Sequence, residues 1–465
     1  LFERLRAAVA AGRIELQGSF WIEPDTNLPS GESLIRQAII GRRFMQQEFG
    51  LADDDLRLCW LPDTFGYNGN LPQILRGTGM DWFQTIKLAW NTVNDFPNRT
   101  FRWQGIDGSE VLVHMPPEGD YNARGAADGL LKGIRQYPES DLNSALLVYG
   151  SGDGGGGPGE IHGELLDREA TPAGIRGLPR VRRRSASDFF RELERRHVED
   201  GAVEHVHRGE LYLETHQGTY TTQGAIKRWN RVLQRGLHDV EALAVAAGVG
   251  SRVRDALEPV WRDVLLNQFH DIIPGSSIER VNREAVQTSE RLDAVVGAEA
   301  DALIAALPSA GHDSAPGALN LAPVARSEWV RAAGSWALAE VGPYAAAALS
   351  PAPSSFPGLT QTADTMSNGI LTLRFGESGE IVSCLDAAGG EHAGSGLNRL
   401  VLHRDPYVFP FNAWDINRNY LTKPSLMLKL VESSTAIDGP RLVRRHVLTG
   451  PRVRVEQTIV LEAGS

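Results

Sequence analysis

The residues most able to do chemistry in this chain are carboxylates set at the ends of short aromatic segments. Trp60-Leu61-Pro62-Asp63-Thr64-Phe65-Gly66-Tyr67 carries one carboxylate into an aromatic, glycine-containing turn. Rings of this kind cover the apolar C–H faces of a pyranose, and a carboxylate beside an anomeric carbon can stabilise or attack an oxocarbenium-like centre. Asp63 could equally cap the turn that follows, and spacing leaves both readings open. Trp21-Ile22-Glu23-Pro24-Asp25-Thr26-Asn27 places two more carboxylates after an aromatic segment read as a strand. Either both face a pocket, or Asp25 begins an Asx turn and Glu23 is solvated.

Three further clusters share this character. Tyr149-Gly150-Ser151-Gly152-Asp153 runs on into four glycines and Pro158. It lacks the Lys-Ser/Thr of a phosphate loop, and Pro158 spoils a Rossmann helix start, so its glycines suit close backbone approach with Asp153 at a pocket edge, or a plain flexible loop. Asn267-Gln268-Phe269-His270-Asp271 ends a helical run in a His-Asp pair. Neutral imidazole is a common metal ligand and an adjacent carboxylate can hold substrate, yet His238-Asp239 and His312-Asp313 occur too, so the pair alone proves little. In the stretch Glu210 to Thr222, His216 and Tyr220 either line a pocket or serve as a structural histidine and a core tyrosine.

These clusters must be held by ordered elements, and the chain has the length to build them. Its 465 residues imply roughly three domains. From residue 1 to about 200, amphipathic runs alternate with short apolar segments, among them Trp82 to Leu88 and Ala145 to Tyr149, which read as buried strands of an α/β region. The stretch from about Tyr220 to Leu307 has long helical periodicity with one Pro274-Gly275 break, so residues 201–310 read as a helical bundle domain. Residues 311–465 alternate as antiparallel strands, interrupted by a Pro- and Ser-rich surface excursion from Ala347 to Thr362. In β/α architectures the loops after the strands build the site, which is where these carboxylates fall.

Composition excludes several classes. With 42% hydrophobic and 23% charged residues the chain is an ordinary globular protein, and a formal net charge of -11 argues against nucleic-acid binding. The run Arg180 to Arg184 reads as a solvated loop. No apolar stretch of about 18 residues predicts a membrane span. Two distant cysteines, Cys59 and Cys384, suggest no disulfide framework and fit a cytoplasmic location. A homo-oligomer is compatible with all of this. The start at Leu1 and the stop at Ser465 after a strand-like run read as cut ends.

At the motifs WIEPDTNLPSGESLIRQ, WLPDTFGYNGNLPQ, YGSGDGGGGP, ELYLETHQGTYTTQ and NQFHDIIPGSSI, in that order, the sequence resembles glycoside hydrolase family 38, the class II α-mannosidases, particularly their long bacterial and vacuolar branch. The resemblance implies an incomplete β/α barrel of the seven-stranded type over 1–200, lacking its opening strand, a helical bundle over 201–310, and an antiparallel β-sandwich-like domain from 311. It implies hydrolysis of terminal α-linked mannose from glycans or oligosaccharides with retention of configuration, Asp63 being nucleophile and zinc ligand. Asp153 would be acid/base, His270 a zinc ligand, and Asp25 and Asp271 neighbours of the sugar, with His216 and Tyr220 in the same wall. The family's other two zinc ligands form a His-x-Asp pair expected upstream of Leu1, so zinc should bind these residues weakly. A carbohydrate-binding protein without catalysis, or a deacetylase or amylase-like hydrolase on a related barrel, are the competing readings.

Overall fold

A computed structural model describes residues 1–170, 174–307, 317–405 and 412–464. It divides into two compact units, the first spanning Leu1–Ala306 and including residues 412–415, the second holding the rest of the chain from Leu307. His312-Asp313 lies outside the described residues.

The first unit contains α1 (Phe2–Ala10), α2 (Gly31–Phe49), β1 (Leu58–Trp60), α3 (Leu71–Gly77), β2 (Trp82–Gln84), β3 (Thr100–Gln104), β4 (Glu110–His114), α4 (Ala127–Gln136), α5 (Glu160–Glu169), α6 (Ala186–Asp200), β5 (Val206–Arg208), α7 (Gly224–Ala246), α8 (Gly250–Leu266) and α9 (Glu279–Ala306). Its strands form one sheet in the order β1-β2-β4-β3-β5, parallel except for the β3–β4 hairpin. Short runs such as Trp82-Phe83-Gln84 are buried throughout, as strands covered on both faces must be. One side packs Phe83, Phe101, Trp103 and Tyr67, and the other packs Leu58, Trp82, Phe189 and Phe190. The architecture is thus mixed α/β with a helical region, followed in the second unit by several antiparallel sheets.

Two segments expected to be strands are not. Ala145 to Tyr149 makes one isolated bridge, Tyr149 with Ala123, and is only partly buried. The segment meets the sheet at β4, whose two edges are already taken by β2 and β3. Leu146 instead donates its N–H to His114 Nε2 at 3.0 Å. Phe20 to Ile22 likewise pairs with no strand, because its N–H groups go to α2, Trp21 to the Gln37 carbonyl at 2.8 Å and Ile22 to Gln37 Oε1 at 3.3 Å. That crossing is close enough to require a glycine, since a Cβ on Gly41 would sit 2.3 Å from the Phe20 carbonyl carbon.

α2 starts where Ser30 Oγ accepts the Ser33 N–H and stops at Gly50, left-handed with φ 69°. The helical region forms as its periodicity predicts, with α8 and α9 separated by the turn around Pro274-Gly275. In the second unit, long strands at Lys429–Asp438, Arg441–Gly450 and Val453–Glu462 pair antiparallel. A cluster of Met366, Leu373, Phe375, Ile381, Leu442 and Leu461 forms its core. The Ala347 to Thr362 excursion is less irregular than its composition suggests, carrying short strands at Ser350–Pro351 and Thr360–Gln361.

Candidate active site

Asp63 leaves the sheet in the turn after β1; threonine hydroxyls tie the loop 23–27 to that turn, and backbone hydrogen bonds tie the loop 267–271 to the loop 23–27. Thr64 Oγ1 donates to the Pro24 carbonyl at 3.0 Å, and Thr26 Oγ1 donates to the Gly66 carbonyl at 2.8 Å. Asp25 N–H in turn donates to the Gln268 carbonyl at 2.9 Å, and His270 N–H donates to the Glu23 carbonyl at 3.2 Å. Loops distant in sequence therefore bring Glu23, Asp63, His270 and Asp271 together.

The His270 ring is oriented by its own neighbours. Nδ1 lies 2.9 Å from the Glu23 carbonyl, an acceptor only, so Nδ1 carries a proton and Nε2 is turned away from that carbonyl. Nε2 is 3.9 Å from Asp63 Oδ2. This is the arrangement in which a ligating histidine is fixed by a backbone carbonyl, and the Asp63-His270 pair fits two corners of a zinc site. Among the described residues no group of three or more His, Cys, Asp or Glu gathers to hold a metal.

On the other oxygen of Asp63 sits a residue that the spacing argument overlooked. Lys87 Nζ is 2.6 Å from Oδ1, with the lysine side chain 3% exposed and the aspartate 27%. The ammonium also lies 5.0 Å from the Phe65 ring and 4.4 Å from the Trp90 ring, so rings as well as the carboxylate offset its desolvation. A signal existed, since lysine is rarely buried without a partner and Lys87 falls inside an apolar run read as a strand. That run is a strand only to Gln84, and a single 3-10 turn over Lys87–Trp90 then swings the lysine toward Asp63.

Electrostatics mark the cluster. Burial, then the charges of Asp63 and Asp271, push the Glu23 carboxyl up, with His270 opposing. Asp271 is raised mainly by burial, with Asp63 and Asp153 adding and His270 and Lys87 opposing. Burial, then the charges of Asp63 and Asp153, push the Tyr121 phenol well up. Asp153 thus bears on the same two residues as Asp63, from an exposed glycine turn whose N–H reaches Asn122 Oδ1 at 3.0 Å. A Cβ on Gly152 would meet the Tyr121 carbonyl at 2.8 Å, so a glycine is needed where the two loops touch.

The remaining candidates divide. Asp25 is buried and does form the Asx turn, Oδ1 accepting from Asn27 N–H at 2.8 Å and Leu28 N–H at 2.7 Å. Tyr220 stands beside it, its hydroxyl accepting from Asn27 Nδ2 at 2.9 Å, and burial pushes its phenol up to about 12. His216 is 1% exposed and stacked on Trp414, ring centroids 5.0 Å apart, with Phe65 at 4.5 Å. Burial, then the Lys87 charge, pulls the imidazole down to about 3, so it is neutral. The His216 backbone N–H donates to Asp415 Oδ1 at 2.6 Å. Trp414 and Asp415 arrive from nearly 200 residues downstream, and no local pattern could have announced them. His238-Asp239 is an exposed pair on α7, away from this constellation.

Such a site, with several carboxylates of differing environment, a buried cation and aromatic walls, can supply both an attacking and a proton-donating group. Comparisons with known proteins point the same way. Residues 1–219 match the family model for the glycosyl hydrolases family 38 N-terminal domain, and residues 214–305 match that for the alpha mannosidase middle domain. Alpha-mannosidase 2C1 of Mus musculus is 36% identical over 100% of this chain and 46% of its own length. An alpha-mannosidase of Saccharomyces cerevisiae is 41% identical over 58% of this chain and 25% of its own. The chain therefore spans about half the length of the curated relatives aligned over all of it. A crystal structure of an alpha-mannosidase from Enterococcus faecalis superposes with a TM-score of 0.70 at 16% identity, covering 96% of this chain and 60% of that one, a likeness of fold.

Proposed function

Because the chain belongs to glycosyl hydrolase family 38, we propose that it carries the sugar site of a retaining α-mannosidase acting on terminal α-linked mannose of glycans or oligosaccharides. The observation that supports this best is Asp63 itself, held by the buried Lys87 on Oδ1 and facing His270 Nε2 with Oδ2. Closure of the sheet into a seven-stranded barrel and a cytoplasmic location belong to the same reading. Two free, buried cysteines agree with that location.

The chemistry runs by double displacement. An Asp63 oxygen attacks the anomeric carbon while the bond to the leaving oxygen breaks, and Asp153 gives that oxygen a proton. Water then attacks the same carbon, Asp153 takes the water proton, and the bond to Asp63 breaks to release mannose. Lys87 orients Asp63, while Asp271 and Tyr121, which feel the charges of both Asp63 and Asp153, would meet sugar hydroxyls. Asp63 and His270 would hold zinc, with a His-x-Asp pair expected upstream to complete the site; the ion supplies a template and Lewis acid for sugar hydroxyls.

The test is a panel of aryl glycosides of mannose, glucose and N-acetylated amino sugars, offered to the full-length protein with and without a chelator. The reading expects turnover of the α-mannoside, lost with the chelator and regained with zinc. Turnover of the amino-sugar or glucose substrate instead would point to the deacetylase or amylase-like alternative, and binding without turnover to a carbohydrate-binding module.

A further inference from the structure

A cavity of about 430 Å³ lies between the turn Lys87–Trp90, the loop after β4 and the helix α4. That volume falls in the ~300–1,000 Å³ range of small-ligand pockets. Its lining leaves opposite kinds of polar group unsatisfied. Glu118 is 7% exposed, and its Oε2 is buried with no hydrogen-bond partner. Its Oε1 lies against Gly129 in the first turn of α4, where an added Cβ would come within 2.3 Å of it. The helix therefore leaves room for this carboxyl. Burial, with Asp120 next and the Lys132 charge opposing, pushes Glu118 up to about 7, so near neutrality it can donate as well as accept.

Three cations share the lining, Arg99, Lys132 and Arg135. None of them is ion-paired among the described residues. Arg99 is half-buried and donates from Nη1 to the Phe96 carbonyl at 3.1 Å; Glu139 accepts its backbone N–H at 3.1 Å, and the charges of Glu139 and Asp95 act on the guanidinium without an ion pair to it. Inorganic phosphate in this cavity would pair the cations and leave Glu118 Oε2 unsatisfied. A neutral sugar would do the reverse. An occupant with both an anionic group and hydroxyls satisfies both sets.

We propose that this cavity binds a single-ring sugar bearing a phosphate or carboxylate, its anionic group on Arg99, Lys132 and Arg135 and a ring hydroxyl on Glu118. Leu88 and Ala89, which line the cavity, belong to the same turn as Lys87, so an occupant presses on the turn that presents the lysine to Asp63. Any effect on turnover rests on the mannosidase reading above. Binding does not.

Isothermal titration calorimetry of the chain with mannose 6-phosphate, glucuronate, mannose and inorganic phosphate tests it without reference to catalysis. At least one anionic sugar should bind about tenfold or more tighter than either mannose or phosphate, and the tighter of the two identifies the anion. The Lys132→Ala/Arg135→Ala variant, altered only at exposed positions, should lose that preference while unfolding at the same temperature. Glu118→Ala should weaken the anionic sugar but not phosphate. The proposal is overturned if neither anionic sugar outbinds both mannose and phosphate, or if the folded Lys132→Ala/Arg135→Ala variant keeps the preference.

Discussion

Replacing Asp63 with asparagine is expected to lower aryl α-mannoside turnover by the full-length protein about 10⁴-fold or more, the scale seen when a covalent nucleophile is removed. Asparagine keeps the shape of the side chain and one oxygen, but it cannot form a glycosyl ester that water then opens. A structural cost must be separated from this chemical one. Lys87 is 3% exposed and would lose its carboxylate partner. Stranding one member of a fully buried pair costs about 3–5 kcal/mol, and a smaller figure applies here because Asp63 is 27% exposed. Thermal unfolding and mannose binding, measured beside kcat, decide the matter. The account expects the variant to stay folded at the assay temperature and to bind mannose while failing to turn over. Turnover within about tenfold of wild type would remove Asp63 from the nucleophile's role.

Lys87→Met should cost about 10²–10³ in kcat, comparable to removing one preorganised charged hydrogen bond from an active site. Methionine fills the space beside Phe65 and Trp90, so packing is largely kept and the lost property is the ammonium on Oδ1. The double variant discriminates. Asp63→Asn with Lys87→Met removes both charges, so it should unfold at a higher temperature than Asp63→Asn alone. Its activity should fall no lower than that of Asp63→Asn, because residues acting as one unit lose activity non-additively. Equal kcat in Lys87→Met and wild type, with an intact fold, would leave the lysine a structural role only.

Much of the site was legible because its carboxylates sit in loops, whose local chemistry the sequence spells out. Asp63 in its aromatic turn, His270 after α8 and Asp153 in its glycine turn are all placed by short-range rules, and the structure draws Asp63 and His270 to within 3.9 Å. What escaped was set by long-range pairing. Ala145 to Tyr149 has the composition of a strand but meets the sheet at β4, which is already paired on both sides. Lys87 looked like part of a strand until the register ended at Gln84 and the chain turned. Asp25 shows how one residue can satisfy a plain reading and still border the site, since the Asx turn uses Oδ1 while its charge is felt by Tyr220 and Lys227. Trp414 was beyond any local argument, because its stack on His216 depends on a return of the chain that no spacing encodes.

The central claim is that Asp63 attacks the sugar, and trapping the covalent intermediate tests it most directly. A mannoside fluorinated beside the anomeric carbon and carrying an activated leaving group forms the glycosyl-enzyme faster than water can clear it, because fluorine disfavours the oxocarbenium-like second step. Proteolysis and mass spectrometry of the inactivated full-length protein should place a fluoromannosyl adduct on the peptide containing Asp63, and fragmentation should put it on that carboxylate. An adduct on Asp153, Asp271 or Glu23 instead, or product of inverted configuration with no adduct, would contradict the account.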